Sequence, residues 1–377
     1  MANRLDPVTP FLVMDVLRKS RSMHNVIHFE IGEPDIPPSP KVIEALVKAS
    51  QEQKIRYTEA LGLSILREKI AAFYQDRYQI EISPARIVLT VGTSGAFLMT
   101  YAILLNANDQ LLLTDPAYPC YKNFSYILDL QPIFIPIDSS TNYQLTVEQL
   151  KLHQKIKAVQ ISSPSNPIGN VYNQTALKAL IDYCDNQGIY FISDEIYHGL
   201  VYEQQAHTAL EFSDHAIVIN GFSKYFALPG LRLGWAILPE SLVRKAEIVM
   251  QNLYISAPTL SQYGALAAFD EEHLNQVTNI YRERRNFLYQ ELSQLFTIEA
   301  KPAGAFYIWV NISQYSKDSL NFSEKLLDNI QVATTPGIDF GNNRTNQYIR
   351  FAYTRDLEHL KEGVERLKQY LQPGRSD

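Results

Sequence analysis

The chain has 377 residues, of which 46% are hydrophobic and 20% are charged, and its formal net charge is −6. This length predicts two domains with enough apolar side chains for a substantial core. The acidic balance and the lack of Lys/Arg-rich runs in the sequence argue against a general affinity for nucleic acid.

From residue 86 to about 240, short apolar strands alternate with helices. Strands are predicted over 86–91, 110–113, 132–136 and 158–162, and further strands begin near Ile189, Ala216 and Leu231. Helices are predicted over 94–105, 121–130, 146–155 and 173–187, the last of which ends before Gly188. This succession predicts an α/β fold: a mostly parallel central sheet with helices on both faces.

The last third of the chain has a different pattern. Residues 258–296 are predicted to form one or two long helices, and 298–371 read as strand, helix, strand and helix, which would make a smaller α+β domain. The short basic cluster 282–285 (Arg-Glu-Arg-Arg) contains an acid, so we predict that it is the solvated face of a helix.

The cysteines and the lengths of the apolar runs indicate the cellular compartment of the protein. Cys120 and Cys184, the two cysteines, lie far apart and have no close His partners. They give neither a zinc-site pattern nor a disulfide framework, so we expect no metal site and a reducing compartment. Residues 1–10 have no apolar signal core, and no run approaches the roughly 18 apolar residues of a membrane span. We expect a cytoplasmic protein without a membrane partner.

Lys224 is the first candidate for a catalytic residue. It follows the apolar strand 216–220 and the hydroxyl of Ser223, and a Pro-Gly turn and Arg232 come after it. A lysine in a dry, partly cationic site loses its proton readily and becomes a nucleophilic amine. Such an amine can hold a carbonyl cofactor as a Schiff base, and Ser223 and Arg232 suit the phosphate of that cofactor. Alone, the Ser-Lys-x₇-Arg pattern is weak.

Polar residues also follow two earlier strands. Asp194 and Tyr197 come after the strand 189–192, and Asn166 lies in a turn after the strand 158–162. A carboxylate at a strand end can keep a heterocyclic nitrogen protonated. The alternative is structural: Asp194 caps the next turn, Tyr197 fills space and Asn166 belongs to an ordinary turn. Because the carboxyl ends of parallel strands meet at one edge, we expect the candidates near each other.

Three motifs occur in the order and spacing of a known family: Asn166-Pro167-x-Gly169, Asp194-x-x-Tyr197, and Ser223-Lys224 with Arg232. They resemble the class I/II aminotransferases, which are pyridoxal-5′-phosphate (PLP) enzymes of fold type I. The resemblance runs from 32–35 (Gly-Glu-Pro-Asp) to Arg350 and so covers nearly the whole chain. It implies a large PLP-binding domain over 46–280, a small domain made of 1–45 and 281–377, and a homodimer with composite active sites.

The resemblance also implies catalytic roles. Lys224 would form the Schiff base with PLP and move the substrate proton as general base and acid. Asp194 would keep the pyridine nitrogen protonated, and Tyr197 and Asn166 would hydrogen-bond the ring oxygen. Arg350 would bind the substrate α-carboxylate, with Gly32 and Asn166 nearby. From the sequence alone, a structural salt bridge explains Arg350 equally well.

The cofactor phosphate and ring have their own implied contacts. Thr93 and Ser94 lie between a strand and a helix, where backbone N–H groups and the helix dipole suit a phosphate. Ser223 and Arg232 would share this phosphate, and Tyr57 would reach it from the neighbouring subunit. Tyr118 would stack on the pyridine ring. Without the resemblance, residues 92–96 are a plain connector and Tyr118 is core packing.

The implied reaction moves an amino group between an L-amino acid and a 2-oxo acid, with 2-oxoglutarate as the expected acceptor. Ser94 stands where one bacterial subgroup of aspartate aminotransferases has a lysine for the second carboxylate, and no other arginine stands out for this purpose. The positions of Phe11, Val13, Tyr57 and Tyr254 would make a largely apolar, aromatic entrance to the active site. We therefore favour neutral or aromatic donors, with aspartate left open.

Two other functions fit the same fold. A PLP-dependent C–S lyase or related elimination enzyme would share every motif, so the sequence barely separates it from an aminotransferase. A transcriptional sensor would need a DNA-binding domain, which 1–45 cannot hold, and the negative charge disfavours it.

Overall fold

The computed structural model describes residues 3–372, whose strands and helices are numbered in chain order. The strands are β1 (Ile27–His28), β2 (Ile87–Val91), β3 (Gln110–Asp115), β4 (Gln131–Pro136), β5 (Ile156–Ser162), β6 (Tyr190–Asp194), β7 (Ile217–Gly221), β8 (Leu233–Ile237), β9 (Tyr307–Asn311), β10 (Val332–Ala333), β11 (Thr335–Pro336) and β12 (Tyr348–Ala352). The helices are α1 (Leu12–Ser20), α2 (Pro40–Gln51), α3 (Ser64–Tyr78), α4 (Gly92–Leu104), α5 (Cys120–Ile127), α6 (Val147–Lys151), α7 (Gln174–Gln187), α8 (Glu240–Leu253), α9 (Thr259–Ala265), α10 (Glu271–Leu292), α11 (Ser319–Ile330) and α12 (Leu357–Leu371).

The central sheet has the strand order β2-β8-β7-β6-β5-β3-β4. Neighbouring strands from β7 to β4 are parallel, whereas β8 is antiparallel to both β7 and β2. Successive side chains of β5 point to opposite faces: Val159 packs in one buried cluster with Leu177 of α7, and Ala158 packs in another with Phe97 of α4. The predicted mostly parallel sheet with helices on both faces is confirmed.

Local sequence signals set several of these boundaries. The side chain of Asn173 accepts a hydrogen bond from the backbone N–H of Ala176 (2.9 Å) and so caps α7. Gly188 ends the same helix in the left-handed region, at φ 64°, where glycine carries no Cβ penalty. The helix predicted at 173–187 is confirmed.

A second, smaller sheet lies in the C-terminal part, where β12 pairs antiparallel with both β11 and β9. The short strand β1 pairs in parallel with β10, so an N-terminal segment joins C-terminal elements. The domain division at residue 280 stays a prediction, and α10 runs across it. Within residues 3–372, no helix combines the length and apolar character needed to cross a membrane.

Some predictions were incomplete or wrong. The helices α1, α2, α3 and α8 were not predicted from the sequence, and α6 is shorter than the predicted 146–155. The predicted solvated face over 282–285 was wrong, because Arg284 and Arg285 are buried. Arg284 binds Asp35 through two hydrogen bonds (2.6 and 3.0 Å), and Arg285 pairs with Glu203. These ion pairs allow the two guanidinium groups to leave water.

Candidate active site

Three neighbouring strands of the central sheet bring the candidate residues to one edge. Asp194 is the last residue of β6, and its Cα is in register with Ser162 of β5 and Ile219 of β7. Asn166 follows the end of β5, and Lys224 follows the end of β7. All three side chains line one cavity of about 420 Å³. The expectation that they lie close together at the carboxyl edge of the sheet is confirmed.

Lys224 is partly buried and lines this cavity. Its Nζ donates a hydrogen bond to the backbone carbonyl of Gly32 (2.7 Å) and lies 5.8 Å from the ring centroid of Phe306. Burial, followed by the positive charge of Arg350, lowers the pKa of Lys224 to about 8. A substantial fraction of this amine is therefore neutral near physiological pH, which a nucleophilic lysine requires.

Asp194 is a buried carboxylate with two donors. It accepts a hydrogen bond from the hydroxyl of Tyr121 and another from the backbone N–H of Ile196 (3.1 Å). Burial raises the pKa of Asp194 to about 6, and the two donors and the charge of Lys224 oppose that rise. At neutral pH the group is mainly a carboxylate, so it can hold a cationic partner in the cavity.

Tyr197 and Tyr307 form a buried pair beside Lys224. Their hydroxyl oxygens are 2.8 Å apart, and either can donate the hydrogen bond. Burial raises the pKa of both phenols, so both stay protonated at neutral pH. Tyr307 also contacts Gly32 closely, because a Cβ added at Gly32 would lie 2.2 Å from the Tyr307 hydroxyl oxygen. The absence of a side chain at Gly32 thus leaves room for the tyrosine pair.

Arg350 extends from the middle of β12 into the same cavity and is buried. Its guanidinium donates to Asn166 Oδ1 (2.9 Å), to the carbonyl of Glu30 (2.7 Å) and to Thr335 Oγ1 (3.2 Å). Its Nε has no partner, and no carboxylate in residues 3–372 forms an ion pair with it. The salt-bridge alternative is therefore not realised in this part of the chain. A buried guanidinium paired only with neutral oxygens is prepared to bind an anion.

The start of α4 and the loop after β7 form the other end of the cavity. Thr93, Ser94, Ser223 and Arg232 all line it there. Gly92 has φ +64°, and a Cβ at this position would lie 2.9 Å from Arg232 Nη2. Glycine therefore lets the guanidinium approach the N-terminus of a 13-residue helix, where unpaired N–H groups favour an anion. These four predicted phosphate ligands are brought together.

Aromatic residues complete the wall. Tyr118 lines the cavity, and its ring packs edge-on against Phe11 (6.0 Å between centroids) and Tyr121 (5.3 Å). Phe11 and Val13 also line the cavity, as predicted for the entrance. Tyr57 and Tyr254 do not line it, and the side chain of Tyr57 is 75% exposed. Tyr57 therefore takes no part in the site of its own chain.

Several residues that line the cavity had no predicted role, among them three that carry polar groups. Tyr121 holds Asp194, Tyr307 holds Tyr197, and Arg21 at the end of α1 lines the cavity. Tyr121 lies in a predicted helix and Tyr307 in an apolar segment, and both positions predict only core packing, so the sequence carries no signal for them. Arg21 directly follows α1, a helix that was not predicted, so the sequence did not place it near the cavity.

A mostly parallel sheet with a lysine and a carboxylate at its carboxyl edge, faced by a buried arginine from a second sheet, is the architecture of fold type I transferases. The chain belongs to the class I and II aminotransferases, whose family model matches residues 24–367.

Individual relatives support the same activity. The chain is 38% identical to a (5-formylfuran-3-yl)methyl phosphate transaminase of Methanocaldococcus jannaschii, over 98% of this chain and 99% of the relative. It is 34% identical to a valine–pyruvate aminotransferase of Mycobacterium tuberculosis, over 97% of each chain. The crystal structure of an aminotransferase from Mycobacterium tuberculosis superposes with a TM-score of 0.95 at 34% identity, covering 99% of both chains. The protein is therefore an aminotransferase.

Proposed function

We propose that the protein is a PLP-dependent aminotransferase that uses Lys224 as its catalytic lysine and 2-oxoglutarate as its amino acceptor. One observation carries the proposal. A lysine with a lowered pKa and a buried arginine without a carboxylate partner among residues 3–372 face the same cavity. The lysine amine suits the carbonyl of a cofactor, and the arginine suits the carboxylate of an amino acid or oxo acid.

The cavity residues fit PLP. Arg232, Ser223, Thr93 and Ser94 offer a cation, three hydroxyls and a helix N-terminus, which suit a phosphate. Asp194 offers a buried carboxylate for a protonated pyridine nitrogen, and Tyr118 offers an aromatic surface for the ring. Lys224 supplies the amine that would bind the cofactor carbonyl.

When bound, PLP would supply an electron-accepting ring that stabilises the negative charge left when a substrate Cα loses its proton. The residues of this chain would supply the rest. Neutral Lys224 Nζ would take that proton from Cα as general base and then donate it to the cofactor carbon C4′ as general acid. Its contact with the Gly32 carbonyl (2.7 Å) limits where the amine can move.

The polar residues around Lys224 would set charge and orientation. Asp194 would balance a positive ring nitrogen, with Tyr121 holding the carboxylate in place. Tyr197 would donate a hydrogen bond to the ring oxygen, and Tyr307 holds the Tyr197 hydroxyl in position (2.8 Å between the two oxygens). Arg350 would bind the substrate α-carboxylate in a bidentate manner, with Asn166 beside it (2.9 Å).

The relatives agree on the type of reaction but not on the amino donor. The relatives' names refer to substrates as different as valine, aspartate and a furanylmethyl phosphate. In this chain Phe11, Met14 and Leu17 form an apolar stretch of the cavity wall, which supports neutral or aromatic donors. We propose these as the preferred amino donors.

We also propose a homodimer and a cytoplasmic location. Tyr57 is exposed in the single chain although its motif implies a contact with a phosphate in the neighbouring subunit. A second copy of the chain would cover this tyrosine and complete the site. The two cysteines are unpaired, as is usual in a reducing compartment.

The product of the reaction tests the proposal. The PLP-loaded protein is incubated with phenylalanine, valine or alanine together with 2-oxoglutarate, and products are followed by chromatography. We expect glutamate and the matching 2-oxo acid in equal amounts. A C–S lyase would instead release pyruvate and ammonia from a cysteine conjugate without an acceptor, and that result would replace the proposed reaction.

A further inference from the structure

The first turn of α1 has no cap from its own sequence. Phe11 precedes the helix, and a phenyl side chain cannot accept a hydrogen bond from the unpaired N–H groups of that turn. Asp339, 327 positions after Leu12, supplies the acceptor. Its Oδ1 accepts a hydrogen bond from the backbone N–H of Leu12 (3.1 Å), and its Oδ2 accepts one from the N–H of Val13 (3.4 Å). A carboxylate from the C-terminal part of the chain therefore caps this helix.

Asp339 has no competing partner within residues 3–372. Its side chain is buried, forms no ion pair and accepts no hydrogen bond other than the two from α1. Burial raises the pKa of Asp339, and the N–H of Leu12 and the charge of Arg350 oppose that rise. A buried carboxylate needs such compensation, and the N–H groups and the positive dipole at the start of α1 provide much of it.

Asp339 lies on a turn that also contacts the proposed substrate site. This 3₁₀ turn follows β11 and ends at Phe340, and the guanidinium carbon of Arg350 lies 4.9 Å from the centroid of the Phe340 ring. The carbonyl of Phe340 accepts a hydrogen bond from the N–H of Ala117 (2.9 Å), which joins the turn to the segment after β3. The turn is thus fixed relative to Arg350, and through Asp339 it fixes the start of α1 relative to the same arginine.

Packing secures only part of α1. The helix has nine residues, of which Val13 and Ser20 are buried. A helix this short depends on contacts with the rest of the protein, because its own propensity does not keep it folded. At its far end Lys19 pairs with Asp328 (2.7 Å), but both residues are exposed, and an exposed ion pair contributes little. The position of α1 therefore depends strongly on its cap.

The apolar wall that α1 contributes to the cavity starts at the capped turn. Phe11, Val13, Met14 and Leu17 line the cavity, and the first three lie within one turn of the capped N–H groups. Asp339 itself does not line the cavity. A shift of the helix start would therefore move the wall relative to a substrate, although the carboxylate touches no substrate atom.

We propose that Asp339 is a positioning residue for substrate specificity: by capping α1 it sets the distance between the apolar wall and Arg350, and so favours donors with large apolar side chains. This role rests on the proposed function, in which Arg350 binds the α-carboxylate and the wall contacts the donor side chain. The stabilisation from such a wall grows with the apolar area that it covers. The ring of phenylalanine therefore depends on the position of α1 much more than the methyl group of alanine.

Two donors of different size test this role in the PLP-loaded enzyme. Loss of a helix cap changes a local folding equilibrium by about 2- to 30-fold. We expect Asp339→Ala to lower kcat/KM for phenylalanine by a factor in this range, mainly through KM, and to change alanine much less. Asp339→Asn keeps one acceptor oxygen and should recover part of the loss.

A second helix cap of the same kind provides the control. Asp356 caps α12, where its Oδ1 accepts a hydrogen bond from the backbone N–H of His359 (2.9 Å), and neither residue lines the cavity. Asp356→Ala therefore removes an equivalent cap away from the proposed wall. It should leave the ratio of kcat/KM values for phenylalanine and alanine unchanged.

Two further measurements do not depend on turnover. Hydrogen exchange followed by mass spectrometry should show faster exchange of the α1 amides in Asp339→Ala but not in Asp356→Ala. Binding of 3-phenylpropanoate and of propanoate, the amino-free analogues of the two donors, is measured from the change in cofactor absorbance. Asp339→Ala should weaken binding of the first acid and leave that of the second nearly unchanged.

Unchanged exchange in α1, or equal losses for the large and the small ligand, would overturn the role of Asp339. If the wild type transfers no amino group to any oxo acid, the proposed function fails. Hydrogen exchange and the pair of acids then still decide whether Asp339 positions the apolar wall.

Discussion

The guanidinium of Arg350 donates a hydrogen bond to the side-chain oxygen of Asn166 at 2.9 Å, although the two residues are 184 positions apart in the chain. This contact joins the C-terminal sheet to the carboxyl edge of the central sheet. Arg350, which is proposed to bind the substrate carboxylate, is thus fixed relative to Asn166, which is proposed to bind the cofactor ring. A change in one of them is expected to alter the other.

Replacement of Lys224 is expected to remove nearly all transamination. Lys224→Ala would lose both the amine that binds the cofactor and the group that moves the substrate proton, while the phosphate contacts at α4 still retain PLP loosely. Borohydride reduction of the wild type, followed by peptide mass spectrometry, should find PLP on the peptide that contains Lys224. A label on another lysine would contradict the assignment.

Loss of the Asp194 carboxylate should affect turnover much more than cofactor content. Asp194→Ala leaves a ring nitrogen without its charge partner, so we expect kcat to fall by more than the roughly 10²- to 10⁴-fold that a positioned proton-transfer group contributes. Cofactor content is measured by absorbance after release in alkali. Asp194→Glu is the control that keeps the charge, and half-retained activity in the alanine variant would mean that Asp194 is only structural.

The pKa of Lys224 predicts how the apoenzyme takes up PLP. The neutral amine is the attacking form, so the rate of covalent attachment should rise with pH, with a midpoint near 8. The charge of Arg350 contributes to the lowered pKa, so Arg350→Met should move this midpoint to higher pH. Stopped-flow absorbance at a series of pH values measures both. A wild-type midpoint near the ordinary lysine value of 10.5 would contradict the prediction.

Arg350 is assigned to the α-carboxylate, which every amino acid has. Arg350→Ala should therefore lower kcat/KM by a similar factor for aspartate, alanine and phenylalanine. Removal of one partner of a desolvated charge pair costs about 2–5 kcal/mol, which corresponds to roughly 30- to several-thousand-fold. Steady-state kinetics with the three donors measures the effect. If only the dicarboxylic donor is harmed, the carboxylate clamp lies elsewhere.

Ser94 lies at the start of α4 and lines the cavity, so a cation there can reach a bound substrate or cofactor. Ser94→Lys should improve aspartate relative to phenylalanine, because it supplies a positive charge for the distal carboxylate. Ser94→Met is the control of similar length without the charge. The ratio of kcat/KM values for the two donors is the measurement, and an unchanged ratio would place the donor side chain away from α4.

Much of the large sheet could be predicted from the sequence. The strands after residue 86 are apolar runs separated by helices with clear ends, and the helix over Gln174–Gln187 has an Asn cap and a terminal glycine. Lys224, Asp194 and Asn166 follow such strands directly, so strand order alone predicts that they share an edge. The helices α1 and α8 were not predicted, although the apolar residues of α8 recur at helical spacing (242, 243, 246, 249 and 250), and α6 ends at Lys151 rather than at residue 155.

Only the tertiary structure decided what surrounds those residues. Whether Arg350 pairs with a carboxylate depends largely on distant segments of the chain, which here supply the side-chain oxygen of Asn166 and the backbone carbonyl of Glu30, and the sequence left that question open. Burial of Arg284 and Arg285 depends in the same way on Asp35 and Glu203. Local patterns determine helices, strands and their ends, because these depend on neighbouring residues. The charge and partners of a buried side chain depend on distant segments that meet only in the folded chain.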